Sequence, residues 1–162
     1  TLPIVSKVAA DAHARALLLF PTKALAHDQL RAMQAAADAS CAHMLCATLD
    51  GDTPRVDRPT VAARAHAILT NPDMLHASVL RAHSEWAALL SHVTIVVIDE
   101  AHVYTGAFGS HVAMVIRRLR RLLALYGARD VRFVCCSATV ANAQAHMSAL
   151  TGLAAADIAV VS

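Results

Sequence analysis

At 162 residues, with a formal net charge of +2 and a pI near 8.5, the chain is of single-domain size and only mildly basic. Hydrophobic residues make up 57% and mean hydropathy is +0.48, but alanine runs such as Ala35-Ala36-Ala37 inflate both, and no apolar stretch approaches the roughly 20 residues that cross a bilayer. A membrane span, a broad cationic nucleic-acid surface and, with four cysteines and no C-x-x-C pair, a disulfide framework are excluded. What remains is a soluble α/β protein of a reducing, intracellular compartment.

In chain order, residues 2–15 read as the end of a helix, and Ala16-Leu17-Leu18-Leu19-Phe20 as a strand stopped by Pro21. Helical periodicity runs from about Lys23 to Ala39, with Leu25, Leu30 and Met33 on one face. A second strand spans 43–49 and enters the turn-rich Asp50-Gly51-Asp52-Thr53-Pro54. Cys41-Ala42-His43-Met44-Leu45-Cys46 offers three metal-ligand types, but without ligand spacing it reads as core cysteines on a strand. A polar helical segment with Arg55, Arg58 and Arg64 follows, then a third strand, 66–70, closed by Asn71-Pro72.

Residues 74–91 read as helical and carry the only tryptophan, Trp86. The β-branched run 93–98 is a fourth strand, and it delivers Asp99, Glu100, Ala101 and His102 at its end. A loop with Gly106 and Gly109 leads to a helix near 111–126. Val112, Val115, Leu119, Leu122 and Tyr126 share one side of it, and Arg117, Arg118, Arg120 and Arg121 the other. Strand 131–136 ends at Ser137-Ala138-Thr139, before a short helix near 141–151. Alternation of strand and helix predicts a mainly parallel sheet flanked by helices, with chemistry beyond the carboxyl ends of the strands.

Four strand ends therefore gather Pro21-Thr22-Lys23, Thr70-Asn71-Pro72, Asp99-Glu100-Ala101-His102 and Ser137-Ala138-Thr139 on one edge. Each is weak singly; the ordered set is specific. It resembles the first RecA-like domain of superfamily-two helicases of the DEAD/DEAH type, over roughly residues 1–152, with motifs Ia, Ib, II and III in that order. Asp50-Gly51-Asp52-Thr53, the segment Thr70 to His76 and the series Tyr104 to His111 further resemble the Hrq/Mrf-type, RecQ-four-like DNA-repair helicases.

The resemblance implies a RecA-like P-loop NTPase fold and an ATP-dependent 3′-to-5′ DNA helicase. ATP and Mg2+ are the implied cofactors, single-stranded or forked DNA the partner ahead of RNA, and a second RecA-like domain the companion in the same chain. A nuclear setting is implied if the source is eukaryotic. By the same resemblance Asp99 holds Mg2+ through water and Glu100 orients or activates the hydrolytic water. His102, Ser137, Ala138 and Thr139 couple nucleotide state to movement. Pro21, Thr22, Lys23, Gly51, Asp52, Thr53, Thr70 and Asn71 touch the phosphodiester backbone. Small hydroxylated residues and amides at helix starts suit phosphate oxygens and read no base.

Blander readings stand beside these. Lys23 is either a phosphate contact or a solvated first-turn lysine, Asp52 and Thr53 either contacts or turn formers, and His111 either part of the series or a polar helix start. The arginine row is either a solvated face or a binding surface, and His13, His27 and His83 are expected at the surface. A G-x-x-x-x-G-K-[ST] loop is not in the sequence: Lys7 and Lys23 are the two lysines, followed by Val8 and Ala24. The resemblance places that loop just upstream of residues 2–15. The chain is therefore expected to be a partial domain that starts after the phosphate site and lacks the P-loop strand, leaving the 131–136 strand with an open edge. Such a piece alone is expected to be inactive. An RNA helicase or a non-catalytic nucleic-acid-binding module are the alternatives.

Overall fold

Short apolar runs bounded by turns make five strands, β1 (Arg15–Leu19), β2 (Cys46–Thr48), β3 (Ala67–Thr70), β4 (Val93–Ile98) and β5 (Arg132–Cys135). They pair in the order β2-β3-β1-β4-β5, every pair parallel. The computed structural model describes residues 2–39, 44–138 and 142–161. Central β1 is buried from Ala16 to Leu19, and β3 throughout. Such continuous apolar runs mark strands covered on both faces.

Alternation along β1 sends Leu17 and Leu19 to one face and Ala16 and Leu18 to the other. Against Ala16 and Leu18 lie Ile4, Val5 and Val8 of α1 (Leu2–Ala10) and Ala26, Met33 and Ala37 of α2 (Lys23–Ala39). The opposite face is covered by α3 (Arg58–Arg64), α4 (Pro72–Met74), α5 (Ala87–Leu90), α6 (Gly106–Leu125) and α7 (Ala143–Thr151). The larger core is there, with Leu75, Val79, Trp86, Leu89, Val112, Ile116 and Leu119 on Leu17, Ile68, Val96 and Ile98. The result is a three-layer α/β fold with an all-parallel sheet, as the alternation of strand and helix predicts.

Two expectations need correction. Residues 74–91 are not one α-helix: α4 runs into a π-helical stretch, Leu75–Leu80, then turns, then α5. Leu75 and Leu80, five apart, are both fully buried, which an i→i+5 turn achieves by bringing them to one face. The Leu80 carbonyl, loosened from a regular ladder, accepts Arg118 Nη2 at 2.8 Å.

The second correction concerns the helix expected near 111–126, which begins at Gly106. Gly109 belongs to its first turns because a Cβ there would meet the Tyr104 carbonyl oxygen at 2.3 Å. Glycine serves close backbone approach here, and reading it as a loop residue was the error.

Three of the four arginines in the row donate to backbone carbonyls, and Arg121 is exposed. Arg117 Nη2 donates to Ala149 O at 2.9 Å, and Arg120 Nη1 to Thr151 O and Gly152 O at 3.0 and 2.7 Å. These cations satisfy the carbonyls at the C-terminal end of α7 and oppose its dipole. Among the described residues β5 pairs with β4 alone and forms one edge of the sheet. Among the described residues no helix is long and apolar enough to cross a membrane.

Candidate nucleotide and nucleic-acid edge

Because all five strands run parallel, their carboxyl ends share one edge of the sheet. Along it the segments after β2 (50–53), β3 (70–71), β1 (21–23), β4 (99–102) and β5 (136–138) follow one another in space. The connection after β1 leads outward to β2, and that after β4 leads the other way to β5. The switch point, where open α/β sheets bind ligands, therefore lies between β1 and β4. The sequence-predicted residues divide across it.

On the β2-β3-β1 half, Asp50 organises the turn. Its buried carboxylate accepts the amides of Asp52 (2.9 Å) and Thr53 (3.1 Å) through Oδ1, and its Oδ2 lies 2.8 Å from His27 Nε2 on α2. Burial pushes this carboxyl up, but the His27 bond and the two amides together outweigh it and hold the group below the ordinary carboxylate range. A depressed folded value means the stabilisation is present above the unfolded value of about 4 and is lost as pH falls through the folded one. The stability advantage of wild type over Asp50→Asn is expected to shrink as pH falls from about 5 to about 3 in urea titrations. An advantage constant over that range would contradict this role.

Lys23 Nζ and Asp52 Oδ2 pair at 2.6 Å, both well exposed, and the Asp52 hydrogen bond raises the ammonium above its usual value. The two candidate contacts thus hold each other, and a phosphate at Lys23 must compete with Asp52. Thr22 Oγ1 accepts the Leu25 amide (3.3 Å) at the start of α2, and Asn71 Oδ1 accepts the Met74 amide (2.8 Å) as the N-cap of α4. Pro21 is half-buried; Gly51 is exposed, with open space around its Cα. Thr70 is turned inward: its hydroxyl is buried and donates to Leu49 O at 2.6 Å, so a phosphate contact from it requires that bond to break.

On the β4-β5 half, Asp99 leaves β4 with its amide on Leu19 O (2.9 Å) and its carboxylate unpaired among the described residues. Glu100 follows at φ 49, ψ 43. A left-handed non-glycine residue costs of order 1–3 kcal/mol and persists where the surroundings over-determine it. Here the Ala101 amide is fixed on Cys136 O (2.9 Å), and residues Ala101–Val103 form a 3-10 turn. Glu100 Oε2 lies 3.2 Å from His102 Nδ1, and Ser137 Oγ lies 3.3 Å from the same nitrogen. A protonated Nδ1 donates to Glu100; an unprotonated one accepts from Ser137. The imidazole can thus exchange partners between the β4 and β5 ends.

Tyr104 packs beneath this turn against Phe108, ring centroids 5.6 Å apart, its hydroxyl buried without a partner among the described residues. Burial, then the Asp99 charge, drives its phenol far above the ordinary value, so it stays neutral. Ala138 is exposed, and Thr139 lies outside the described residues. His111 Nε2 approaches Asp73 Oδ1 at 4.0 Å and its ring meets His76 edge-on, joining the start of α6 to the segment after β3. Of the run read as core cysteines on a strand, Cys41 and His43 lie outside the described residues and Cys46 is buried; no metal-binding cluster of three occurs among the described residues.

Sequence reasoning missed two partners. His27 is exposed, as expected, and also holds Asp50; its signal was its place one turn after Lys23 on α2. His146, from α7, bonds Ala101 O at 2.8 Å and had no sequence signal. His83 also has a partner, Tyr126 Oη at 2.7 Å.

Known proteins resemble this chain in sequence and in fold. The chain is 46% identical over 151 residues to the uncharacterized ATP-dependent helicase YprA of Bacillus subtilis, covering 93% of this chain and 20% of YprA. It is 41% identical over 146 residues to the ATP-dependent helicase HRQ1 of Saccharomyces cerevisiae, covering 88% of this chain and 14% of HRQ1. The crystal structure of the DUF1998 helicase MrfA bound to DNA and AMPPNP superposes with a TM-score of 0.89 at 46% identity, over 93% of this chain and 21% of MrfA. Mss116p bound to ssRNA and AMP-PNP, 19% identical with a TM-score of 0.75 over 92% of this chain and 31% of that one, shares the fold alone. The chain spans about a fifth or less of the length of YprA and HRQ1. DEAD/DEAH box helicases as a family match residues 1–147, and the chain belongs to that family.

Proposed function

We propose that residues 1–162 are part of the first RecA-like domain of an ATP-dependent, 3′-to-5′ DNA helicase of the Hrq/Mrf type, acting on single-stranded or forked DNA in repair. The observation that carries this reading is the grouping of Asp99, Glu100, His102 and Ser137 at the ends of two adjacent strands, beside the segments that hold Lys23, Asp52 and Asn71.

The residues present fit a hydrated divalent cation. Asp99 offers a carboxylate engaged with no base among the described residues, Glu100 a second one beside it, and Mg2+ is typically held by one or two carboxylates plus substrate phosphates. Bound there with ATP, the ion would neutralise charge developing on the phosphates. Asp99 would hold that ion through water. Glu100, its oxygen set by His102, would orient and deprotonate the attacking water. His102, in reach of both Glu100 and Ser137, would carry the state of the phosphate site to the β5 end, with Ala138 and Thr139 extending the link.

The other half of the edge grips the nucleic acid. Pro21, Thr22 and Lys23 open the 17-residue α2, whose amino end and lysine favour phosphate. Gly51, Asp52, Thr53 and Asn71 continue the track, and Thr70 supports it from below. None of these groups reads a base edge, which suits a motor that steps on any sequence.

DNA is favoured over RNA by the Tyr104-to-His111 series and by the 46% identity to MrfA, which was crystallised with DNA. Strand separation by the full-length protein on matched forked DNA and RNA substrates tests this. ATP-dependent opening of the DNA fork alone is expected with a 3′ tail; opening of RNA forks at equal rate would overturn the substrate assignment.

A further inference from the structure

The two peptide groups that flank the Ala101 Cα are held by three hydrogen bonds. Ala101 N–H donates to Cys136 O at 2.9 Å, at the exit of β5. Ala101 O accepts the Tyr104 amide at 3.2 Å and His146 Nε2 at 2.8 Å, which fills both of its lone pairs. A carbonyl only accepts, so Nε2 carries the hydrogen and the tautomer is set. The first two bonds are local to the turn and its neighbouring strand. The third reaches 45 residues along the chain to α7, the helix that follows the β5 end.

We propose that His146 is a positioning residue for the hydrolytic pair: its bond to the Ala101 carbonyl ties α7 to the Glu100–His102 turn and keeps Glu100 in its left-handed conformation. This rests on the reading that Glu100 and His102 serve hydrolysis. With the peptide groups on both sides of the Ala101 Cα pinned, a turn of Glu100 toward right-handed backbone strains or breaks one of these bonds. The same link makes α7 responsive to that turn: a shift of the β5 exit that carries α7 pulls on Ala101, independently of the Ser137–His102 contact. The half-buried ring borders a cavity of about 520 Å³ between α6 and α7, lined also by Tyr104, Ser110, Arg117 and Leu150, so substituted side chains have room.

The test uses the full-length protein and compares wild type with His146→Leu, His146→Gln and Glu100→Gln in DNA-stimulated ATP turnover. Misplacing a catalytic group by a fraction of an ångström is felt in kcat, so His146→Leu is expected to lower kcat about tenfold, with KM for ATP and DNA affinity within about twofold. His146→Gln keeps an amide N–H donor and is expected to recover kcat to within about threefold of wild type. Hydrogen exchange at the Val103 and Tyr104 amides gives a second readout, faster in the leucine variant and unchanged in the glutamine one, even if the leucine variant melts early. Equal kcat in all three His146 forms, or equal loss in both variants, would overturn the proposal. Normal turnover by Glu100→Gln would instead remove the hydrolytic reading beneath it, and the positioning role with it.

Discussion

Glu100→Gln in the full-length protein is expected to lower ATP turnover roughly 10²–10⁴-fold, the range that a positioned general base contributes. The substitution keeps the shape, the left-handed backbone and an oxygen for His102, and removes only the capacity to take a proton. DNA affinity in the presence of ATP is expected to be retained, because Glu100 stands on the β4-β5 half of the edge and the candidate phosphate contacts on the other. If Glu100 were merely a carboxylate that follows a buried strand, glutamine would turn over ATP within a few-fold of wild type. Steady-state turnover with DNA in excess, together with a binding titration, separates the two.

Gly109→Ala is expected to be the most disruptive single-methyl change in the fold. Its new carbon would lie 2.3 Å from the Tyr104 oxygen and 2.5 Å from the Tyr104 carbonyl carbon. Both are backbone atoms of the turn that follows Glu100, so no side chain can swing away. Relief requires the first turn of α6 to lift from Tyr104, and α6 supplies Val112, Val115, Ile116 and Leu119 to the larger core. Overpacking against fixed neighbours costs about 1–3 kcal/mol, and with partial loss of α6 packing a total of about 2–4 kcal/mol is expected as a lower urea midpoint at unchanged slope. Gly51→Ala is the control, since nothing lies within 4 Å of a Cβ there. Similar midpoints for the two variants would show that the close approach at Gly109 is not what places the helix.

The places where sequence and structure part share a physical cause. Period-2 and period-3.6 patterns are local, and they located α2 at Lys23–Ala39 and β4 at Val93–Ile98 to the residue. The strand ends then followed from topology, since a parallel sheet puts every carboxyl end on one edge. What the pattern did not carry was contact between distant segments. Gly109 is a glycine because of Tyr104, the π-helical widening at Leu75–Leu80 is paired with Arg118, and Arg117 and Arg120 are committed to carbonyls at the end of α7. Charge and periodicity alone describe Arg120 as surface; only the fold brings Thr151 and Gly152 to it.

The candidate site divides the same way. Asp99, Glu100, His102 and Ser137 were legible because each follows a strand in a fixed order. That Lys23 faces Asp52, that Thr70 is bonded inward to Leu49, and that His27 and His146 brace the two halves were not, because each is a meeting of elements separated by 20 residues or more in the chain.

ATP turnover by the full-length protein, measured with Mg2+ and with single-stranded DNA added or withheld, tests the central claim most directly. The two halves of the edge predict turnover that needs Mg2+, rises on adding DNA and falls to background in Glu100→Gln. Turnover indifferent to both DNA and Glu100 would contradict the assignment of this edge as a nucleic-acid-driven hydrolytic site.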